Sequence, residues 1–376
     1  VRSATGRFDY LDGIRAVAIA AVLALHWFSW YVPLFHGGSI GVDVFFVLSG
    51  FIITTMLWRS PVTGSRAAAW VAFLRRRVSR LYPALLGLVV ASAVLYAVVP
   101  WAPVGPVEVL QRGVIVLGQG SAMWAADQHG SLWLPGLQPF GQTWSLAVEW
   151  YFYALWPVAV LGARSRGWSA RRLAGVSLGA ALALYLLSLP LGAFWFYFGP
   201  SARSAELLVG AALALWSVDR VFTDSGHPAR PRRHASAGAA LVAIGGYALL
   251  GPDAHSPVYR YVGIPLAVLA TVVLIHTGYS NAGAGSPDNM DGPVHRLLGH
   301  PWLAAVGRGS YSLYLWHIVP FLLLEDAPLP KPVSGLIAVT AATTVTVLSY
   351  RFLERPFLRA RSDVLSPQRP RVQQAA

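Results

Sequence analysis

Apolar runs long enough to cross a bilayer recur from one end of this chain to the other, near residues 14–32, 41–58, 81–100, 144–162, 173–190, 202–217, 236–251, 259–277, 309–324 and 333–350. A hydrocarbon core about 30 Å thick needs roughly 20 apolar residues of helix, so each run is a candidate span. Only 12% of the 376 residues are charged, about half the usual share of a soluble globule. The chain reads as an all-α polytopic membrane protein with about ten transmembrane helices.

The cations orient those spans. If the N-terminus is cytoplasmic, arginines collect on one side, at Arg59, Arg66, Arg75, Arg76, Arg77 and Arg80, then Arg164 to Arg172, Arg220 to Arg233, and Arg351 to Arg371. The other side keeps Arg112, Arg203, Arg260 and Lys331. This is the positive-inside pattern, which places both termini on the cytoplasmic side of the membrane. It accounts for the formal net charge of +13 without a nucleic-acid partner. Counting Val107 to Trp124 as a span would invert everything after it, so 101–143 is expected to form an external loop or re-entrant segment. Its Trp101, Trp124 and Trp133 offer aromatic faces that suit sugar rings and apolar ligands alike. Residues 279–301 read as a flexible cytoplasmic linker. One membrane-embedded domain is expected over 1–357, with a basic, disordered cytoplasmic tail over 358–376. The first apolar run lacks a cleavage site and reads as a retained span, and the missing initiator Met points to a trimmed or truncated chain. There is no cysteine, and no histidine spacing suits a metal.

Ionisable groups inside such runs are costly and mark functional sites by default. Arg15 and His26 share the first run, eleven residues or about 16 Å of helix apart. Asp43 follows at the mouth of the second, where a carboxylate can orient an imidazole. Glu149 lies inside the fourth. Arg77 and Arg80 are spaced to share a helical face and grip phosphates. The string Gly309-Ser-Tyr311-Ser-Leu-Tyr-Leu-Trp-His317 adds a second buried histidine. Each has a plainer reading: a snorkelling Arg15, a His26 or His317 satisfied by backbone, a helix-capping Asp43, an arginine cluster that only anchors topology.

The strings Leu11-Asp12-Gly13-Ile14-Arg15 with His26, Gly41-Val-Asp43-Val-Phe-Phe-Val-Leu-Ser-Gly50-Phe51, Arg77-x-x-Arg80, Trp144-Ser-Leu-Ala-Val-Glu149, Tyr311-Ser-Leu-Tyr-Leu-Trp-His317 and Glu354-Arg355-Pro356-Phe357 occur in this order. Together they resemble the acyltransferase-3 family of integral membrane O-acyltransferases, over essentially residues 8–357. The resemblance implies acyl transfer from acyl-coenzyme A, a co-substrate and not a bound cofactor, to a hydroxyl of a sugar, an envelope glycan or a glycosylated metabolite such as a macrolide. It implies His26 as catalytic base and Arg15, Arg77 and Arg80 as donor-binding residues. Asp43 or Glu149 would then support the imidazole, and Trp144, Tyr311 and His317 are candidates for touching substrate. With no cysteine and no Gly-x-Ser-x-Gly elbow, direct transfer is expected over a covalent intermediate, with Ser49 and Ser145 the possible nucleophiles otherwise. The appended extracytoplasmic domain of longer relatives is expected to be missing. A transporter or flippase is the competing class. It would show repeated halves or interrupted helices in corresponding positions, and the sequence offers neither.

Overall fold

The computed structural model describes residues 9–29, 31–61, 64–127, 137–218, 231–283 and 292–357. Among them no strand occurs. The helices are α1 (Asp9–Phe28), α2 (Ile40–Arg59), α3 (Arg66–Val98), α4 (Pro106–Leu117), α5 (Ser121–Asp127), α6 (Trp144–Ser165), α7 (Ala170–Ser188), α8 (Ala193–Phe198), α9 (Pro200–Val218), α10 (Pro231–Leu250), α11 (Ile264–Gly283), α12 (Pro293–Leu298), α13 (Pro301–Arg308), α14 (Ser310–Trp316), α15 (Val319–Leu323) and α16 (Lys331–Ser349). Trp133 and the tail 358–376 lie outside the described residues, as do Arg220 to Arg230.

Among the described residues, seven helices are long and apolar enough to cross a membrane: Asp9–Phe28, His36–Arg59, Arg66–Val98, Gly141–Ser165, Ala170–Ser188, Tyr259–Gly278 and Lys331–Phe357. The other three expected runs take different forms. Residues 202–217 fall in α9, which carries buried charges, and 236–251 form a shorter apolar helix, Ala235–Leu250. Residues 309–324 break into α14 and α15 at His317 and Ile318. Pro320 explains the break, because its ring has no N–H to donate and clashes with the carbonyl of the preceding turn. The outer faces are apolar: Leu155, Leu187, Val242 and Leu336 are among the most exposed side chains, an arrangement that suits lipid and not water.

The helix α2 is innermost, with 72% of its apolar window buried against 28% for α7 and α16. It packs on α1, α6, α9 and α11. Its approach to α9 is backbone on backbone. A Cβ on Gly50 would lie 1.9 Å from the Leu207 carbonyl oxygen, and one on Gly210 would lie 1.9 Å from that of Val47. Small residues provide such close approach between membrane helices. Gly210→Ala is expected to cost about 1–3 kcal/mol by overpacking, read as a lower melting temperature in detergent. Gly245→Ala, whose Cβ meets nothing within 4 Å, is expected to leave it unchanged or raised.

Two segments outside the expected runs are helical. The arginine cluster lies on α3, which begins at Arg66 and runs 33 residues through Pro83, about 50 Å of helix and longer than the bilayer core. Within 279–301, α12 packs its Val294, His295 and Leu298 inward, and His295 stacks on Tyr10 of α1 at 4.8 Å. That part is a packed element and no linker. Residues 284–291 lie outside the described residues. The segment 101–143 includes α4 and α5, both too short to span.

Candidate active site

The short helix α14 is the hub on which the separate motifs meet. Its polar side chains point in turn at different helices. Ser310 Oγ accepts from Arg15 Nε of α1 at 3.2 Å. Tyr311 Oη donates to the Leu81 carbonyl of α3 at 2.8 Å, beside Arg80. Ser312 Oγ donates to Glu354 Oε2 at 2.8 Å. Tyr314 Oη donates to the Gln142 carbonyl at 2.9 Å and lies 2.8 Å from Ser145 Oγ of α6. Gln142 returns a bond from its amide to the Leu315 carbonyl at 2.7 Å. His317, at the break after α14, reaches His26 with Nε2 3.2 Å from the latter's Nδ1.

Two cavities flank this hub. The first, about 760 Å³, is lined by Arg15, Arg77 and Arg80 together with Glu149, Ser49 and Tyr311. Three guanidiniums face it against one carboxylate. Arg77 is buried, lies over the rings of Phe73 and Tyr153 at 5.2 and 5.3 Å, and has Nη2 3.5 Å from Met56 Sδ. Arg80 Nε is buried with no hydrogen-bond partner. A guanidinium held this way retains donors for an anion. Glu149 does not meet His26. Its carboxylate accepts from Ser49 Oγ at 2.6 Å and Tyr153 Oη at 2.7 Å, so it belongs to the arginine cavity.

The second cavity, about 740 Å³, contains His26, with Trp144, Tyr197 and Phe198 as aromatic wall and Gln138, His36 and His255 among its polar groups. Trp144 thus stands in the wall of the cavity that contains His26. The two linings share Val42 and Tyr314. Of the tryptophans of 101–143, the two that are described, Trp101 and Trp124, line neither cavity, and Trp124 faces outward. His317 does not line the second cavity either. It is fully buried behind His26, and its place in substrate contact is corrected accordingly. Tyr311 lines the arginine cavity, not that of His26.

Asp43 also departs from expectation. It faces away from His26 into a sealed cluster, where Arg203 Nη1 donates to Asp43 Oδ1 at 2.5 Å and to Glu206 Oε1 at 2.8 Å. Arg203 Nε donates to the Tyr197 carbonyl at 2.8 Å, and Tyr259 Oη to Asp43 Oδ2 at 2.7 Å. Arg203 and Asp43 are wholly buried and Glu206 nearly so. Arg203, expected as an outer-loop cation, is the counter-ion of this carboxylate pair, since a charge without one is prohibitively costly in an apolar interior. Sequence reading missed Arg203, Glu206, Tyr259 and Tyr314. The first two carried a signal, a cation and an anion one helical turn apart within an apolar run.

Polar groups of this cost, kept inside an apolar helical shell and gathered around two adjoining cavities, mark a candidate membrane-embedded site. The chain belongs to the acyltransferase domain family, whose model matches residues 8–351. It is similar to the peptidoglycan O-acetyltransferase OatA of Listeria monocytogenes, 29% identical over 369 residues that cover 92% of this chain and 55% of the relative. It is likewise similar to the O-acetyltransferase OatA of Staphylococcus aureus strain NCTC 8325, 27% identical over 365 residues, 92% of this chain and 56% of the relative. The chain spans about half the length of these curated relatives. No solved structure matches it.

Proposed function

We propose that the chain transfers an acyl group, acetyl in the simplest case, from acyl-coenzyme A to a hydroxyl of a cell-envelope glycan. The observation that carries this reading is the pairing of cavities. One presents three guanidiniums to an anionic donor, and the next presents a histidine beside aromatic faces suited to a sugar ring. The names of the relatives support a glycan acceptor. With the termini on the cytoplasmic side, the arginines of α3 face the compartment that holds coenzyme A, and the His26 end of α1 lies about 16 Å further across the membrane. The interrupted helix α14–α15 is a device that carriers also use. Here the break brings one histidine to another, and a group-transfer role accounts for it.

In this mechanism Arg77, Arg80 and Arg15 hold the phosphates, and the pantetheine arm brings the thioester to the wall formed by Val42 and Tyr314. His26 Nε2 takes the proton of the acceptor hydroxyl as its oxygen attacks the thioester carbonyl. The C–S bond breaks, and the thiolate of coenzyme A recovers the proton from His26. Ester and free thiol are the products, with no covalent enzyme intermediate.

Arg80→Ala is expected to raise the donor KM roughly 10- to 100-fold, the worth of a charge-assisted phosphate contact, with kcat little changed. The test of the whole reading is mass analysis of products formed by the purified protein from a panel of acyl-coenzyme A donors with peptidoglycan fragments, neutral glycans and glycosylated macrolides. Ester formation on a glycan hydroxyl supports it. Turnover of macrolides alone moves the acceptor class, and no transfer from any thioester overturns it.

A further inference from the structure

The hydrogen bonds behind His26 have only one consistent set of protons. His317 Nδ1 lies 2.7 Å from the Tyr314 carbonyl oxygen. A carbonyl only accepts, so His317 carries its proton on Nδ1, and in the neutral ring its Nε2 holds a lone pair. That Nε2 faces His26 Nδ1 at 3.2 Å. His26 Nδ1 lies in turn 2.9 Å from the Val22 carbonyl oxygen. Both neighbours accept, so His26 is an Nδ1–H donor shared between them. Its own lone pair then sits on Nε2.

We propose that His317 is a positioning residue for the acyl transfer: it fixes His26 in the tautomer whose Nε2 is the base, and accepts from Nδ1–H when His26 becomes an imidazolium. This rests on the reading of His26 as base given above. The role is the one a buried carboxylate fills behind the histidine of a hydrolase triad. Neither Asp43 nor Glu149 fills it, since each is committed to other donors. A neutral imidazole also suits the place. His317 is fully buried, and a carboxylate there would need a counter-charge of its own. Two further contacts hold the ring's backbone. Trp27 Nε1 donates to the His317 carbonyl at 2.9 Å, and the His317 amide donates to Leu313 at 3.0 Å. The break at Pro320 therefore has a use: it ends α14 where residue 317 faces α1. The chain 22, 26, 317, 314 runs from α1 to the Tyr314 whose ring stands between the cavities.

Three variants test this in the full-length protein, with turnover, donor KM and melting temperature measured for each. His317→Gln keeps an acceptor at the Nε2 position. His317→Asn is too short to reach His26 but can still bond the Tyr314 carbonyl, and His317→Leu removes both contacts. The expected result is a kcat loss of about 100-fold for Leu and Asn, with donor KM within about twofold and partial recovery in Gln, within about tenfold of wild type. A merely structural role predicts a different ranking: Leu, the apolar filler, would be tolerated best, or activity would follow melting temperature. If Leu does not fold, Asn against Gln still decides, because equal activity in the two overturns the proposal. His26→Ala separates the layers. An active His26→Ala protein sinks the base assignment itself, whereas an inactive one alongside fully active His317 variants sinks only the positioning role.

Discussion

His26→Ala is expected to lower acyl transfer by roughly three orders of magnitude, the middle of the range for a general base, while donor affinity stays within about twofold. The two effects separate because the groups do. His26 lines the cavity with Trp144 and Gln138, and the guanidiniums of Arg15, Arg77 and Arg80 line the other. Truncating the imidazole removes the proposed proton acceptor and leaves the three arginines in place. The assay is product formation at saturating acceptor, with coenzyme A binding measured by calorimetry on the same preparation. Equal loss of binding and turnover would mean that His26 belongs to the donor site or to folding.

Arg203→Ala is expected to have the largest effect on stability, about 3–5 kcal/mol, since it strands two buried carboxylates without their cation. Most proteins have only about 5–15 kcal/mol in total, so poor yield and early thermal aggregation in detergent are the expected signs. Asp43→Asn makes the informative contrast. It leaves Arg203 paired with Glu206 at 2.8 Å, and an amide oxygen can still accept from Tyr259. A much smaller stability loss is expected, with kcat per folded molecule close to wild type. A stable Asp43→Asn protein without turnover would return Asp43 to the catalytic role that its sequence position implied.

The sequence made the membrane class and the order of the motifs legible, because apolar length and buried charge are local properties. Arg15, His26, Arg77 and Arg80 could be singled out for the same reason, and they do line the two cavities. Pairings across long separations could not be read. Asp43 has His26 seventeen residues away and Arg203 160 residues away, and only the backbone approach of α2 to α9 decides for the latter. Glu149 was misassigned likewise, as the face of α6 that it occupies turns to Ser49 and Tyr153. The break after α14 was visible in Pro320 but hidden by the apolar run around it. Tyr314 lay inside the quoted Tyr311 to His317 string but was not singled out there, since its weight comes from standing in both linings.

If the donor's phosphates lie with the arginines and its thioester meets His26 across Tyr314, a cryo-EM structure of the protein with a non-hydrolysable acyl-coenzyme A analogue will show both. Phosphate density is expected within hydrogen-bond distance of Arg77 and Arg80, and the acyl carbon at the wall shared by Val42 and Tyr314, facing His26 Nε2. Phosphates in the His26 cavity, or an acyl group directed away from α14, would contradict this arrangement.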